Sequence, residues 1–181
     1  PRDTAAETIA QWMQPSVRFR LEDVTELPPV RTLELEVELT AAQKALIHKL
    51  KEEALAELEG GREITAANAA AVLSKVLQVM SGAVYGEEDG ERFTEAVKAE
   101  PYFDAITGLV DQADTPVLIA APFRSTVAAI AKHLEGAGQR VAVITGDVED
   151  RASVFDAFQR GELDALVAVA GTMSHGVDGL Q

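Results

Sequence analysis

The chain has 181 residues, 47% of them hydrophobic and 25% charged, and its 30 acidic against 16 basic side chains leave a formal net charge of −14. This is the make-up of a globular domain that buries roughly 70% of its unfolded surface, and the acidity means that any nucleic-acid contact needs a local basic patch or another domain. Zero cysteines exclude disulfides, thiol catalysis and cysteine-ligated zinc and fit a reducing cytoplasm, while the absence of a long apolar run or a basic-then-apolar leader leaves no membrane span or signal peptide expected.

In chain order, residues 1–15 predict a short helix with Ile9, Trp12 and Met13 on one side, ended by Pro15. Residues 16–30 read as an extended lead-in containing Pro28-Pro29. RTLELEVEL, residues 31–39, alternates leucines and Val37 with three glutamates, which predicts a half-buried strand. Thr40 then stands as a helix N-cap with Gln43 three residues on, as a capping box requires. Leu46, Ile47, Leu50, Ala54 and Leu58 give that helix its stripe, and Gly60-Gly61 stops it. A second helix is expected from Thr65 to Gly82 and a third from Tyr102 to about Ala113, with GEEDGE between them as a solvated turn. Residues 40–113 therefore read as a helical layer.

From residue 114 the pattern changes. PVLIAAP, RVAVIT and LDALVAVA are short apolar runs of the kind found in strands covered on both faces. The helices between them, one capped by Ser125 and stopped at Gly136 or Gly138, make a βαβαβ core with a parallel sheet. Ligands of such sheets sit beyond the carboxyl ends of the strands, so the loops after Ala121, Thr145 and Ala170 are where chemistry is expected.

Complete catalytic sets are missing. TMSHG is similar to the serine-hydrolase elbow G-x-S-x-G, but Thr172 replaces the first glycine and only seven residues follow Ser174 to supply an acid and a histidine. His48, His133 and His175 are far apart and form no metal motif. Neither G-x-x-x-x-G-K-[ST] nor G-x-G-x-x-G occurs. The acidic GDVEDR loop repels phosphate unless Mg²⁺ is present, and is more simply a solvated turn. No catalytic residue and no metal ligand is assigned.

Four segments in order do carry a resemblance. LPPVRTLELEVELTAAQKAL is similar to the start of the second RecA-like lobe of Swi/Snf-type superfamily two helicases and their phage relatives, with its LPP turn, strand and L-T-x-x-Q helix start. PVLIAAPFRSTVAAIAKHL is similar to helicase motif IV, and VITGDVEDRASVFDAFQRGELDALVAV to the strand, loop, arginine and helix that follow it. AGTMSHGVDGLQ resembles motif V, which in phage-like members reads roughly H-G-x-N-L-Q. Departures are Ala170 for the usual threonine, Asp178 for the asparagine, and a missing aromatic after the L-T-x-x-Q start.

The resemblance covers about residues 16–181 and implies a three-layer α/β/α, P-loop-NTPase-like lobe truncated within motif V. Its divisions are a lead-in at 1–30, a strand plus helical segment at 31–113 and the core at 114–181. It implies a cytoplasmic ATP-dependent DNA helicase or translocase as the parent protein, with ATP and Mg²⁺ held between this lobe and a first lobe that brings the Walker motifs. The lobe alone is then catalytically silent and holds no cofactor. By the same resemblance Gly176, Asp178 and Gln181 lie near ATP. Phe123, Arg124, Gly146, Arg151, Thr172, Ser174 and His175 couple the cleft to nucleic acid. A truncated lobe leaves a bare sheet edge open to self-association. The alternative is a stand-alone doubly wound α/β binding module with no ATPase parent.

Overall fold

The computed structural model describes residues 4–17, 31–59, 66–88, 90–148 and 150–173. Residues 1–35 and 36–181 form separate units. In the first, helix α1 (Ala5–Trp12) starts after Thr4, whose carbonyl accepts the backbone N–H of Thr8 at 3.0 Å and its hydroxyl at 2.9 Å. The expected apolar side, Ile9, Trp12 and Met13, is exposed.

The strand expected at 31–39 is absent: the segment has no regular structure, and Leu33 is 91% exposed. Alternation makes a segment fit to pair, but a strand exists only where a neighbour takes its ladder hydrogen bonds, and among the described residues none does.

The second unit opens with helix α2 (Ala41–Glu59). The capping box holds. Thr40 N–H donates to Gln43 Oε1 at 2.9 Å, and Gln43 N–H donates to Thr40 Oγ1 at 3.2 Å. Gln43 goes further than a cap. It is 1% exposed, and its Nε2 donates to the carbonyls of Val79 and Met80, both at 3.0 Å, at the end of helix α3 (Ala66–Met80). One side chain thus satisfies the start of α2 and the orphan carbonyls at the end of α3.

The turn expected at GEEDGE is the tip of an antiparallel hairpin whose strands, β1 (Ala83–Glu88) and β2 (Glu91–Ala96), are not among the expected elements, so residues 40–113 are not purely helical. Gly90 takes φ +82°, which a two-residue hairpin connection favours and L side chains resist. Gly82, at φ +89°, turns the chain from α3 into β1, and a Cβ there would stand 2.6 Å from Phe103 Cζ. The hairpin is followed by α4 (Glu100–Asp111), with a proline in its first turn.

The core is the expected α/β sheet. β3 (Val117–Ala121), β4 (Val141–Ile144) and β5 (Ala165–Val169) are parallel, in the order β3-β5-β4, with Ala121 opposite Val169 and Ile144 opposite Ala168. Helix α5 (Arg124–Gly136) follows β3, and α6 (Arg151–Gln159) follows β4. Alternate residues of β5 face opposite layers. Ala165 and Val167 pack with Val127, Ile130 and Leu134 of α5 and with Val110 of α4. Leu166 and Ala168 pack with Ile144 and with Val154, Phe155 and Phe158 of α6. The sheet is therefore the middle of three layers.

Ser125 does not cap α5. Phe123 holds the N-cap position in extended backbone, with no side-chain cap bond. At the other end the helix closes through Gly138, whose N–H donates to the Glu135 carbonyl at 3.0 Å, and Gln139, whose N–H donates to the Leu134 carbonyl at 3.0 Å.

The amino edge of the sheet is tied by Asp164. Its Oδ2 accepts the Arg140 backbone N–H at 2.7 Å, and its Oδ1 accepts Arg140 Nη2 at 2.6 Å. These bonds, the side-chain one foremost, hold the Asp164 carboxyl below the usual carboxylate range. A lowered folded pKa contributes stability that is present above the unfolded value of about 3.9 and lost as pH falls through the folded value. Asp164→Asn is therefore expected to be less stable than the native chain near neutral pH, with the gap closing in acid. Urea midpoints across a pH series check this, and a gap that does not change with pH would contradict it.

Candidate nucleic-acid interface

The three strands end at Ala121, Ile144 and Val169, in register, so their outgoing connections share one edge. From β3 the chain passes through Phe123 into Arg124, the first residue of α5. Arg124 is exposed, and its Nη2 meets Asp147 Oδ2 of the loop after β4 at 2.7 Å. The hydrogen bond and charge of Asp147 hold the Arg124 guanidinium above its ordinary pKa. At Gly146 a Cβ would lie 3.2 Å from Arg124 Nη2, so the bare backbone gives the guanidinium room to lie across the loop.

The same loop is also pinned by Arg151 at the start of α6. Its Nε donates to the Val148 carbonyl, and its Nη2 donates to the carbonyls of Thr145 and Gly146, each at 3.3 Å. Asp150 caps α6 by accepting the Ser153 N–H at 3.1 Å, and Ser153 holds the Asp150 carboxyl below its usual range. The Arg124 and Arg151 guanidinium groups thus border one loop of four residues, Thr145 to Val148, in a chain of strongly negative charge.

Of the residues singled out in the sequence, Phe123, Arg124, Gly146 and Arg151 come together at this edge. Thr172 stands in α7 (Ala170–Met173), the helical turn after the central strand, where its hydroxyl donates to the Val169 carbonyl at 2.6 Å. Ser174, His175, Gly176, Asp178 and Gln181 lie outside the described residues.

The hairpin supplies what sequence reasoning missed. Tyr85 of β1 accepts the Ser125 N–H on its hydroxyl at 3.0 Å, and its ring meets Phe123 edge-on at 6.5 Å between centroids. Its backbone N–H donates to Gln78 Oε1 at 2.9 Å, and its carbonyl accepts Lys75 Nζ. Thr126 Oγ1 donates to Ser81 Oγ at 2.9 Å beside it. The first turn of α5, which aims Arg124, is thereby fastened to α3 and the hairpin. The signal was available: apolar and polar residues flank Asp89-Gly90, a two-residue hairpin sequence.

The observed sheet defines the chain as an α/β protein with parallel strands and helices on both faces. No family model matches it. A stretch of 87 residues, 48% of this chain, is 39% identical to "Putative protein p41" of Acyrthosiphon pisum secondary endosymbiont phage 1, and the match spans 18% of that protein's length. Among solved structures, the C-terminal domain of S. cerevisiae Dbp5 is similar at 23% identity and TM-score 0.36, over 42% of this chain and 44% of that one. The Pyrococcus furiosus Hef helicase domain is similar at 21% identity and TM-score 0.39, over 76% of this chain and 27% of that one.

Proposed function

We propose that residues 36–181 act as the second RecA-like lobe of a phage-like, Swi/Snf-type translocase and that the carboxyl edge of the sheet is its nucleic-acid side. The observation that supports this reading most is the meeting of Phe123, Arg124, Gly146 and Arg151, which come from two separate strand-to-helix connections, at one edge. Two guanidinium groups beside exposed backbone suit a phosphodiester, which arginine binds through its planar fork, once the phosphate displaces Asp147 from Arg124.

In this reading ATP and Mg²⁺ belong between this lobe and a first lobe. The residues here fit only the outer side of such a site. The 181 residues contain no G-x-x-x-x-G-K-[ST] loop to enclose a triphosphate, and Gly176, Asp178 and Gln181 are the positions proposed to approach it. The lobe's own contribution is positional: Arg124 and Arg151 ride on helices packed to opposite faces of the sheet and move with it as a body when the cleft closes. DNA is the proposed polymer.

Two measurements test the proposal. The isolated chain is expected to show no ATP turnover, with or without DNA, and genuine turnover would contradict it. A short DNA duplex is expected to bind weakly at low salt. Arg124→Gln and Arg151→Gln should each lower the affinity and flatten the dependence of log K on log salt by about 0.9 for each phosphate no longer neutralised. Affinity unchanged in both variants would remove the edge from consideration as the nucleic-acid side.

A further inference from the structure

A groove with a volume of 560 Å³ lies beside the hairpin, lined among others by Lys75, Tyr85, Glu87, Phe93 and Arg124. Its most unusual member is Phe93. Phe93 is the cross-strand partner of Gly86, and a Cβ built on Gly86 would sit 2.0 Å from Phe93 Cζ. The ring therefore occupies the place of the missing side chain and lies against the backbone of β1, outside both hydrophobic clusters of the core. The residue remains 44% exposed. An aromatic ring held on a strand with open area is the platform that single-strand binders use, because every base has a face to stack.

The rim fits the rest of a nucleotide. Lys75 is held there by the Tyr85 carbonyl. Arg124 reaches the groove from the start of α5 while keeping Asp147 on its other side, so it is common to the groove and to the strand-end edge. The volume is that of a pocket able to take a nucleotide-sized ligand. Glu87 on the same rim offsets part of the positive charge. Stacking, more than attraction of phosphate, must then supply the affinity.

We infer that this groove takes one base of a single nucleic-acid strand, stacked on Phe93, with the adjoining phosphate on Lys75 and Arg124. The inference rests on the proposed reading of the edge and deepens it, since it places unpaired strand on the hairpin side of Arg124.

The test uses the whole chain and a single-stranded DNA of about ten nucleotides carrying one 2-aminopurine, whose emission reports stacking. The native chain is expected to bind it and change the emission. Phe93→Leu should weaken binding by about tenfold and abolish the change, and Phe93→Trp should restore both. An oligonucleotide with an abasic site in place of the base should bind the native chain more weakly but bind Phe93→Leu no differently. Circular dichroism melts confirm that the variants fold. If Phe93→Leu binds as tightly as the native chain with the same emission change, while Arg124→Gln is weakened, the groove is not a base site and the edge reading stands. If the chain binds duplex but not this strand, the groove inference is likewise overturned alone. If Phe93→Leu and Arg124→Gln weaken binding of the strand while Arg124→Gln and Arg151→Gln leave duplex binding unchanged, the groove stands and the edge reading is overturned. Binding of neither nucleic acid overturns both.

Discussion

Gln43→Glu is expected to destabilise the second unit by roughly 3–5 kcal/mol at neutral pH, the cost of an uncompensated buried charge. The change keeps shape and size. It removes the amide donor that serves the Val79 and Met80 carbonyls and sets a carboxylate against both oxygens. The Thr40 N–H and hydroxyl can still donate to it, but these bonds from one neighbour do not offset the burial of a charge at 1% exposure. Burial raises the carboxyl's folded pKa, so the variant's stability relative to the native chain is best below the unfolded value of about 4.3 and falls as pH rises through the folded value. Urea unfolding near neutrality and near pH 4 separates this from simple loss of packing. A deficit that is the same at both would show that the buried bonds of Gln43 do not matter as described.

Leu166→Ala is expected to cost about 3 kcal/mol, within the range for deleting a fully buried leucine, and to lower the melting temperature by roughly 6–12 °C. Leu166 is fully buried in the central strand and packs with Ile144 and the α6 layer. Leu118 is its neighbour on β3 and shares its face of the sheet, yet is 42% exposed. Leu118→Ala should cost under about 1 kcal/mol. Thermal melts of the pair test which layer covers β5. Equal losses would mean that the α6 layer spans the sheet differently.

The α/β core was legible because its strands are buried on both faces. Continuous runs such as ALVAV favour a buried strand over a buried helix because they are short, carry β-branched valines and are bounded by turns. The Thr40–Gln43 cap was legible for a related reason: both partners are local. What Gln43 does with Val79 and Met80 was not, because that depends on residues 36 and 37 positions away. The two misread segments are opposite cases. Residues 31–39 carry the alternation of a strand but find no partner among the described residues, whereas residues 83–88 and 91–96 are rich in charge yet pair with each other. Periodicity reports what a segment can do, and pairing decides what it does. The meeting of Arg124 with Gly146 and Asp147 was legible only as a shared edge, since the side-chain contacts are set by how α5 and the hairpin pack.

We propose that nucleic acid is met at the carboxyl edge of the sheet. Backbone amide chemical shifts of the chain, followed by NMR as a short DNA duplex is added, test it most directly. Shifts are expected to concentrate at residues 123–125, 146–148 and 151, with little change around Asp164 and Arg140 at the opposite edge. Shifts centred on Asp164 and Arg140, or none at the strand ends while DNA is bound, would contradict it.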